Sequence, residues 1–163
     1  VETLHMKLQV AYHEIEQNNK NITDSLNYAK LIQEAMLPDK GVLKNYFSNS
    51  FVIYKPKDIV SGDFYWFAEK EGKLIMAVAD CTGHGVPGAL MSMIGGGLLN
   101  EIVNLNNVTE PARILKRLNA GIRKALKQDV NNERCEGMDI ALCVVDKLNS
   151  ELSFAGANRH LVY

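Results

Sequence analysis

Apolar positions recur every seven residues at the start of the chain. Val1, Leu8, Ile15, Ile22, Ala29 and Met36 form one series; Leu4, Ala11, Asn18, Ser25 and Ile32 fill the intermediate positions. A heptad sustained over about five repeats predicts a long helix with a coiled-coil seam. Neither Gly nor Pro interrupts it before Pro38, which stops the helix. Two arrangements use such a helix. One is a two-stranded coiled coil that joins subunits and carries a signal. The other is a single amphipathic helix packed on its own domain. The length of the pattern favours the coiled coil, and polar Asn18 and Ser25 weaken the seam in a way that suits a change of register. Residues 1–37 are therefore a helical linker, and residues 38–163 a separate domain.

The pattern then shortens. Residues 39–49 have loop composition. Residues 50–54, 63–68 and 73–79 read as strands, with a hairpin turn at 69–72. Residues 86–103 read as a helix. Thr109 suits an N-cap and Pro111 the first turn of a further helix, to about residue 128. Ile114, Leu115, Leu118, Ile122, Ala125 and Leu126 make its apolar face. Arg113, Lys116, Arg117, Arg123, Lys124 and Lys127 lie opposite. They read as a solvated side rather than a docking surface. Residues 129–136 are a polar loop, 138–145 and 151–155 a hairpin about the turn 147–150, and residues 160–163 begin another strand. Strands, a helix pair and more hairpins define an α+β layered fold with antiparallel sheets.

Composition narrows the function classes. The 163 residues carry 18 Lys and Arg against 19 Asp and Glu, a net charge of −1. No global field draws such a chain to nucleic acid or to an anionic membrane. Apolar residues at 47% and charged residues at 23% indicate a soluble globular domain. The cysteines Cys81, Cys135 and Cys143 are odd in number and form no C-x-x-C pair, which fits a reducing cytoplasm. No basic region followed by an apolar run marks a signal peptide. The chain does not start with Met and is expected to be a piece of a longer protein. Residues 81–100 are uncharged but rich in glycine. They read as a buried loop and helix, with an apolar part too short to span a bilayer.

Two aspartates sit where strands end. Asp63 follows Ser61-Gly62, and Asp80 closes the apolar run 74–79, which reads as buried on both faces. A carboxylate at the tip of such a strand is costly to desolvate without a positive partner. Hard divalent cations are natural partners for carboxylate and carbonyl oxygens. Residues 81–88 (CTGHGVPG) let backbone approach a ligand and lead into a helix N-terminus, which favours an anion such as phosphate. Together these point to metal-assisted phosphoryl chemistry. On spacing alone, two aspartates capping turns account for the pattern equally well.

The strings themselves go further. Residues 55–66 (KPKDIVSGDFYW) and 79–92 (ADCTGHGVPGALMS) resemble the signatures of SpoIIE/RsbU-type metal-dependent serine/threonine phosphatases, relatives of protein phosphatase 2C in the PPM family. Residues 22–38 (ITDSLNYAKLIQEAMLP) resemble the helical linker before that domain. Residues 137–142 (GMDIAL) and 155–158 (AGAN) match later parts. The resemblance implies an αββα sandwich of two packed, mainly antiparallel sheets flanked by helices, with two Mn²⁺ or Mg²⁺ ions at one edge. Asp80 would bridge both metals. The Cys81 carbonyl would ligate one of them, and Asp63 would bind that same ion directly or through water. A bridging hydroxide would attack the phosphorus of phosphoserine or phosphothreonine in line, without a covalent enzyme intermediate. Gly62, Thr82, Gly83, His84 and Gly85 would shape the site. The implied substrate is a phosphorylated regulator of the anti-sigma-factor-antagonist type in bacterial signalling. The linker would form a homodimer and couple an upstream sensor to the site.

Departures from the family pattern are few but specific. Cys81 stands where many members carry an aliphatic residue, and only its carbonyl is needed. Ser61 replaces a frequent Gly. Asp139 occupies a position where relatives carry a small hydroxyl residue; it is either a further acidic group near the site or a turn residue. Asp146 looks like a strand-end turn residue. The family's two further metal-binding aspartates lie beyond residue 163, so this fragment is expected to have an incomplete metal site and weak or no activity. The rival from another class is a non-catalytic dimeric module that binds a partner. Three weaker rivals are a histidine-kinase helix built on His13-Glu14, a zinc site on Cys81 and His84, and a Cys81 nucleophile.

Overall fold

The computed structural model describes residues 2–128 and 136–162. Val1 of the heptad, Cys135, Tyr163 and all but the last residue of the loop at 129–136 lie outside the described residues. The heptad segment forms helix α1 (Glu2–Met36). Its 35 residues give a length of about 50 Å. Residues 3–25 are exposed throughout, so this part does not pack on its own domain. Leu4, Leu8, Ile15 and Ile22 of the seam all face solvent. Near its C-terminal end the helix meets the domain: Gln33 is buried, and Leu37 packs into the core.

A short helix, α2 (Lys40–Tyr46), follows where a loop is expected from composition. The Asp39 carboxylate starts it by accepting from the Gly41 N–H at 2.9 Å. Residues 50–54 form no strand. They are extended, with Val52 and Tyr54 half-buried and Phe51 and Ile53 exposed. That alternation imitates a strand because one side packs on the sheet without joining its ladder.

The sheet has the order β1 (Phe64–Lys70), β2 (Lys73–Cys81), β3 (Met138–Asp146), β4 (Glu151–Ala157), every neighbour antiparallel. Its inner face is covered by α3 (Gly85–Leu99), a π-helical continuation Asn100–Leu105, and α4 (Pro111–Ala125). Phe64, Trp66, Ile75, Ala77, Ile140 and Leu142 meet Met91, Leu99, Val103, Ile114, Leu118 and Ile122 there. Each such large apolar side chain contributes on the order of 1.5–3 kcal/mol by leaving water. On the outer face Tyr65, Phe67 and Leu74 pack under α2 and residues 52–54. The chain is therefore α+β, with a single four-stranded antiparallel sheet among the described residues and a long helix before it.

Several expectations need correction. Strand β2 is not buried on both faces: Ile75, Ala77, Ala79 and Cys81 point inward, while Val78 and Asp80 are exposed on the outer face. The apolar run misleads because alternate apolar residues do not have to be covered. Helix α4 is capped by Glu110, not Thr109. The Glu110 carboxylate accepts from the N–H groups of Ala112 and Arg113 at 2.9 and 2.8 Å. Residues 160–162 form no strand. Finally, α3 and its continuation make a helical run Gly85–Leu105 that is long and apolar enough, by length and composition, to cross a membrane. Here it is the core helix over the inner face, with Leu99 and Val103 fully buried.

Candidate functional site

The sheet register builds the site. Phe64 pairs with Ala79, and Asp80 pairs with Asp139. Asp63, Asp80 and Asp139 therefore stand side by side at the same end of three neighbouring strands. Opposed residues share a face, and this is the outer face, with Tyr65 and Val78. Asp139 is thus a strand residue beside Asp80, not a turn residue. Like charges directly opposite one another destabilise a sheet unless something offsets them.

Two loops carry the ends of the row. The loop before β1 is held from below by Gln33 of α1. Its Nε2 donates to the Ser61 carbonyl at 2.6 Å and to Ser92 Oγ at 2.8 Å, and its Oε1 accepts from the Ser61 N–H at 3.0 Å. The Asp63 N–H donates to Ser61 Oγ at 3.1 Å, and the Tyr54 hydroxyl donates to the Asp63 carbonyl at 3.2 Å. A Cβ on Gly62 would lie 2.8 Å from the Gly83 carbonyl oxygen and 3.4 Å from that of Cys81. Only glycine lets the loop carrying Asp63 press against both carbonyls.

The loop after β2 is fixed by Thr82. Its N–H donates to the Gly137 carbonyl at 2.9 Å, and its Oγ1 pairs with both Gly137 backbone groups at 3.1 Å. Gly83 (φ +86°) and Gly85 (φ +62°) take left-handed backbone that other residues avoid. His84 stands at the N-cap of α3 but makes no side-chain capping bond; its Nδ1 lies 2.9 Å from Asp58 Oδ2. Of the residues expected at the site, Gly62, Asp63, Asp80, Gly83 and the Cys81 carbonyl come together. His84 faces Asp58 instead.

Burial holds the Asp63 carboxyl above the ordinary range, the neighbouring Asp80 carboxylate adds to this, and Arg159 pulls the other way. Asp63 thus sits partly desolvated beside a like charge. Burial, with Asp80 and Asp63 nearby, pushes the Cys81 thiol up to about 12. The Cys81 side chain is buried in the core at 4% exposure, and the His84 ring faces Asp58, so neither the Cys81-nucleophile rival nor the zinc rival gains support from the geometry. Asp146 is a turn residue as expected. The side chain and backbone of Asn149 donate to it and hold it below the ordinary carboxylate range.

The donor set suits a hard divalent cation: two adjacent carboxylates and a backbone carbonyl, all oxygen. Mg²⁺ in particular keeps several waters and needs few protein ligands. Among the described residues no three His, Cys, Asp or Glu side chains gather as metal ligands. The geometry explains this: a row across strands about 4.8 Å apart spreads its carboxylates instead of converging them.

One residue of the site had no place in the sequence reading. Arg159 follows β4, and its Nη2 lies 2.8 Å from Asp80 Oδ2 and 3.3 Å from Asp139 Oδ2. Asn158 donates to the same Asp139 oxygen at 3.0 Å. A lone arginine past a hairpin carries no sequence signal; only the strand register brings it to the row. An open cleft of about 620 Å³ gathers Asp63, Asp80, Asp139 and Arg159, with Lys55 and His160 also in its lining.

The α+β architecture is similar to that of a solved protein phosphatase 2C domain. The SiaA-PP2C domain of Pseudomonas aeruginosa superposes with a TM-score of 0.74 at 37% sequence identity, covering 86% of this chain. The chain spans 55% of the length of that one. The profile of Stage II sporulation protein E (SpoIIE) matches residues 70–163, and the chain belongs to that family. No curated protein sequence matches it.

Proposed function

We propose that the protein hydrolyses phosphoserine or phosphothreonine on a regulatory protein, using Mn²⁺ or Mg²⁺. The observation that carries this is the placement of Asp63 and Asp80 side by side, next to Asp139, at one end of the sheet and in one open cleft. Asp63, Asp80 and the Cys81 carbonyl would hold the cations. Such ions, when bound, supply Lewis acidity at the phosphoryl oxygens and an activated water. The chain's own residues do the rest. Gly62 and Gly88 let the two loops close on one another, Thr82 fixes the second loop to Gly137 just before β3, and Gln33 fixes the first to α1 and α3. Asp139 engages Arg159 and Asn158 at the end of the row.

The exposed seam of α1 fits a homodimer, which would let an upstream signal reach the Ser61-Gly62-Asp63 loop through Gln33. Light scattering on concentrated protein is expected to return a dimer; a strict monomer removes this part. A second reading, a binding module without catalysis, draws on the absence of a third gathered ligand side chain among the described residues and on the Arg159 contact to Asp80. Manganese-dependent phosphate release from a phosphoserine peptide separates the two. Asp80→Asn is expected to lower it by about 10²-fold or more. Undiminished release by that variant overturns the assignment; no release by residues 1–163 fits the incomplete metal site expected of them, whereas no release by a chain extended beyond residue 163 favours the binding module.

A further inference from the structure

The side chain of Arg159 uses one nitrogen for two carboxylates. Its Nη2 is 2.8 Å from Asp80 Oδ2 and 3.3 Å from Asp139 Oδ2, distances of charge-assisted hydrogen bonds or close ion pairs. The position is built, not incidental. Asn158 takes left-handed backbone (φ +57°) and donates to Asp139 Oδ2, which turns the chain back over the end of the sheet. A Cβ on Gly156 would collide with the Arg159 carbonyl, so glycine is what permits that close return. The guanidinium is about half exposed, with 48% of its side chain open to solvent. Asp80 is similarly open at 57%. The contact is therefore exchangeable: an exposed ion pair is worth only about 0–1 kcal/mol and weakens with salt.

We infer that Arg159 is a positioning residue of the metal site: it is the shared counter-ion of Asp80 and Asp139, and a divalent cation competes with it for the Asp80 carboxylate. The inference rests on the proposed metal site and concerns what governs its loading. Two consequences follow from the charges. A guanidinium beside the site opposes a dication, so its presence lowers metal affinity. Removing it also leaves Asp80 and Asp139 opposed without their counter-ion, which strengthens their demand for a cation.

Calorimetric titration of Mn²⁺ into the native chain, Arg159→Gln, Arg159→Lys and Asp80→Asn tests this without any assay of activity. Arg159→Gln is expected to bind Mn²⁺ about fivefold more tightly than the native chain at low salt. The gap should shrink in 0.5 M NaCl as screening weakens the native ion pair. Arg159→Lys keeps the charge but not the fork, and should fall between native and Gln. A purely structural role for Arg159 would not give that order. Equal or weaker binding by Arg159→Gln overturns the inference. So does the absence of binding in both proteins, whereas binding gained only in Arg159→Gln supports it. Asp80→Asn keeps the two ideas apart. Binding unchanged in Asp80→Asn places the ion elsewhere and sinks the metal-site reading, whatever Arg159 does.

Discussion

The two flanks of the aspartate row are held by opposite means. At Asp63 the support is neutral and buried: Gln33, at 4% exposure, makes three hydrogen bonds to Ser61 and Ser92. At Asp80 and Asp139 it is ionic and open to water, through Arg159. A buried hydrogen-bonded amide cannot trade its partners for water without leaving donors or acceptors unpaired. An exposed guanidinium can. The first flank therefore fixes geometry, and the second is open to exchange with solvent. The fixed flank is also the one joined to α1, through Gln33.

Breaking each flank should give unequal losses. Gln33→Ala strands the buried Ser61 N–H and leaves the Ser61 carbonyl only the 3.3 Å bond from Ser92 Oγ. It should cost about 2–4 kcal/mol of stability, read by urea denaturation. Gln33→Glu sharpens the point, because a carboxylate would face the Ser61 carbonyl that the amide now donates to; it should be no better tolerated than Ala. On the other flank, Arg159→Gln should change stability by no more than about 1 kcal/mol, and less at high salt. Equal losses at Gln33 and Arg159 would erase the contrast.

Much of this was legible in the sequence, for identifiable reasons. All four strands alternate or run apolar over their observed lengths, and the turns at 71–72 and 147–150 fall where Gly, Asn and Ser predict them. Helix α4 shows its buried Ile114, Leu118 and Ile122 at helical spacing. Asp63, Asp80 and the glycines between β2 and α3 stand out because backbone is brought close there, and glycine marks such places. What stayed hidden depends on tertiary register. Asp139 meets Asp80 only because β2 and β3 pair as they do, and Arg159 arrives only through the turn after β4. Gln33 reads as one more polar residue on a solvated helix, yet the end of that helix is where burial begins. The strand expected at 50–54 fails for a related reason: packing on one side imposes period two without any ladder.

The central claim is that Asp63, Asp80 and the Cys81 carbonyl form a divalent-cation site. Crystals soaked in Mn²⁺ and measured for anomalous scattering address it most directly. The account predicts an anomalous peak in contact with the Asp63 and Asp80 carboxylates, with Arg159 moved off Asp80. A well-ordered site without such a peak, or a peak confined to other residues, would contradict it.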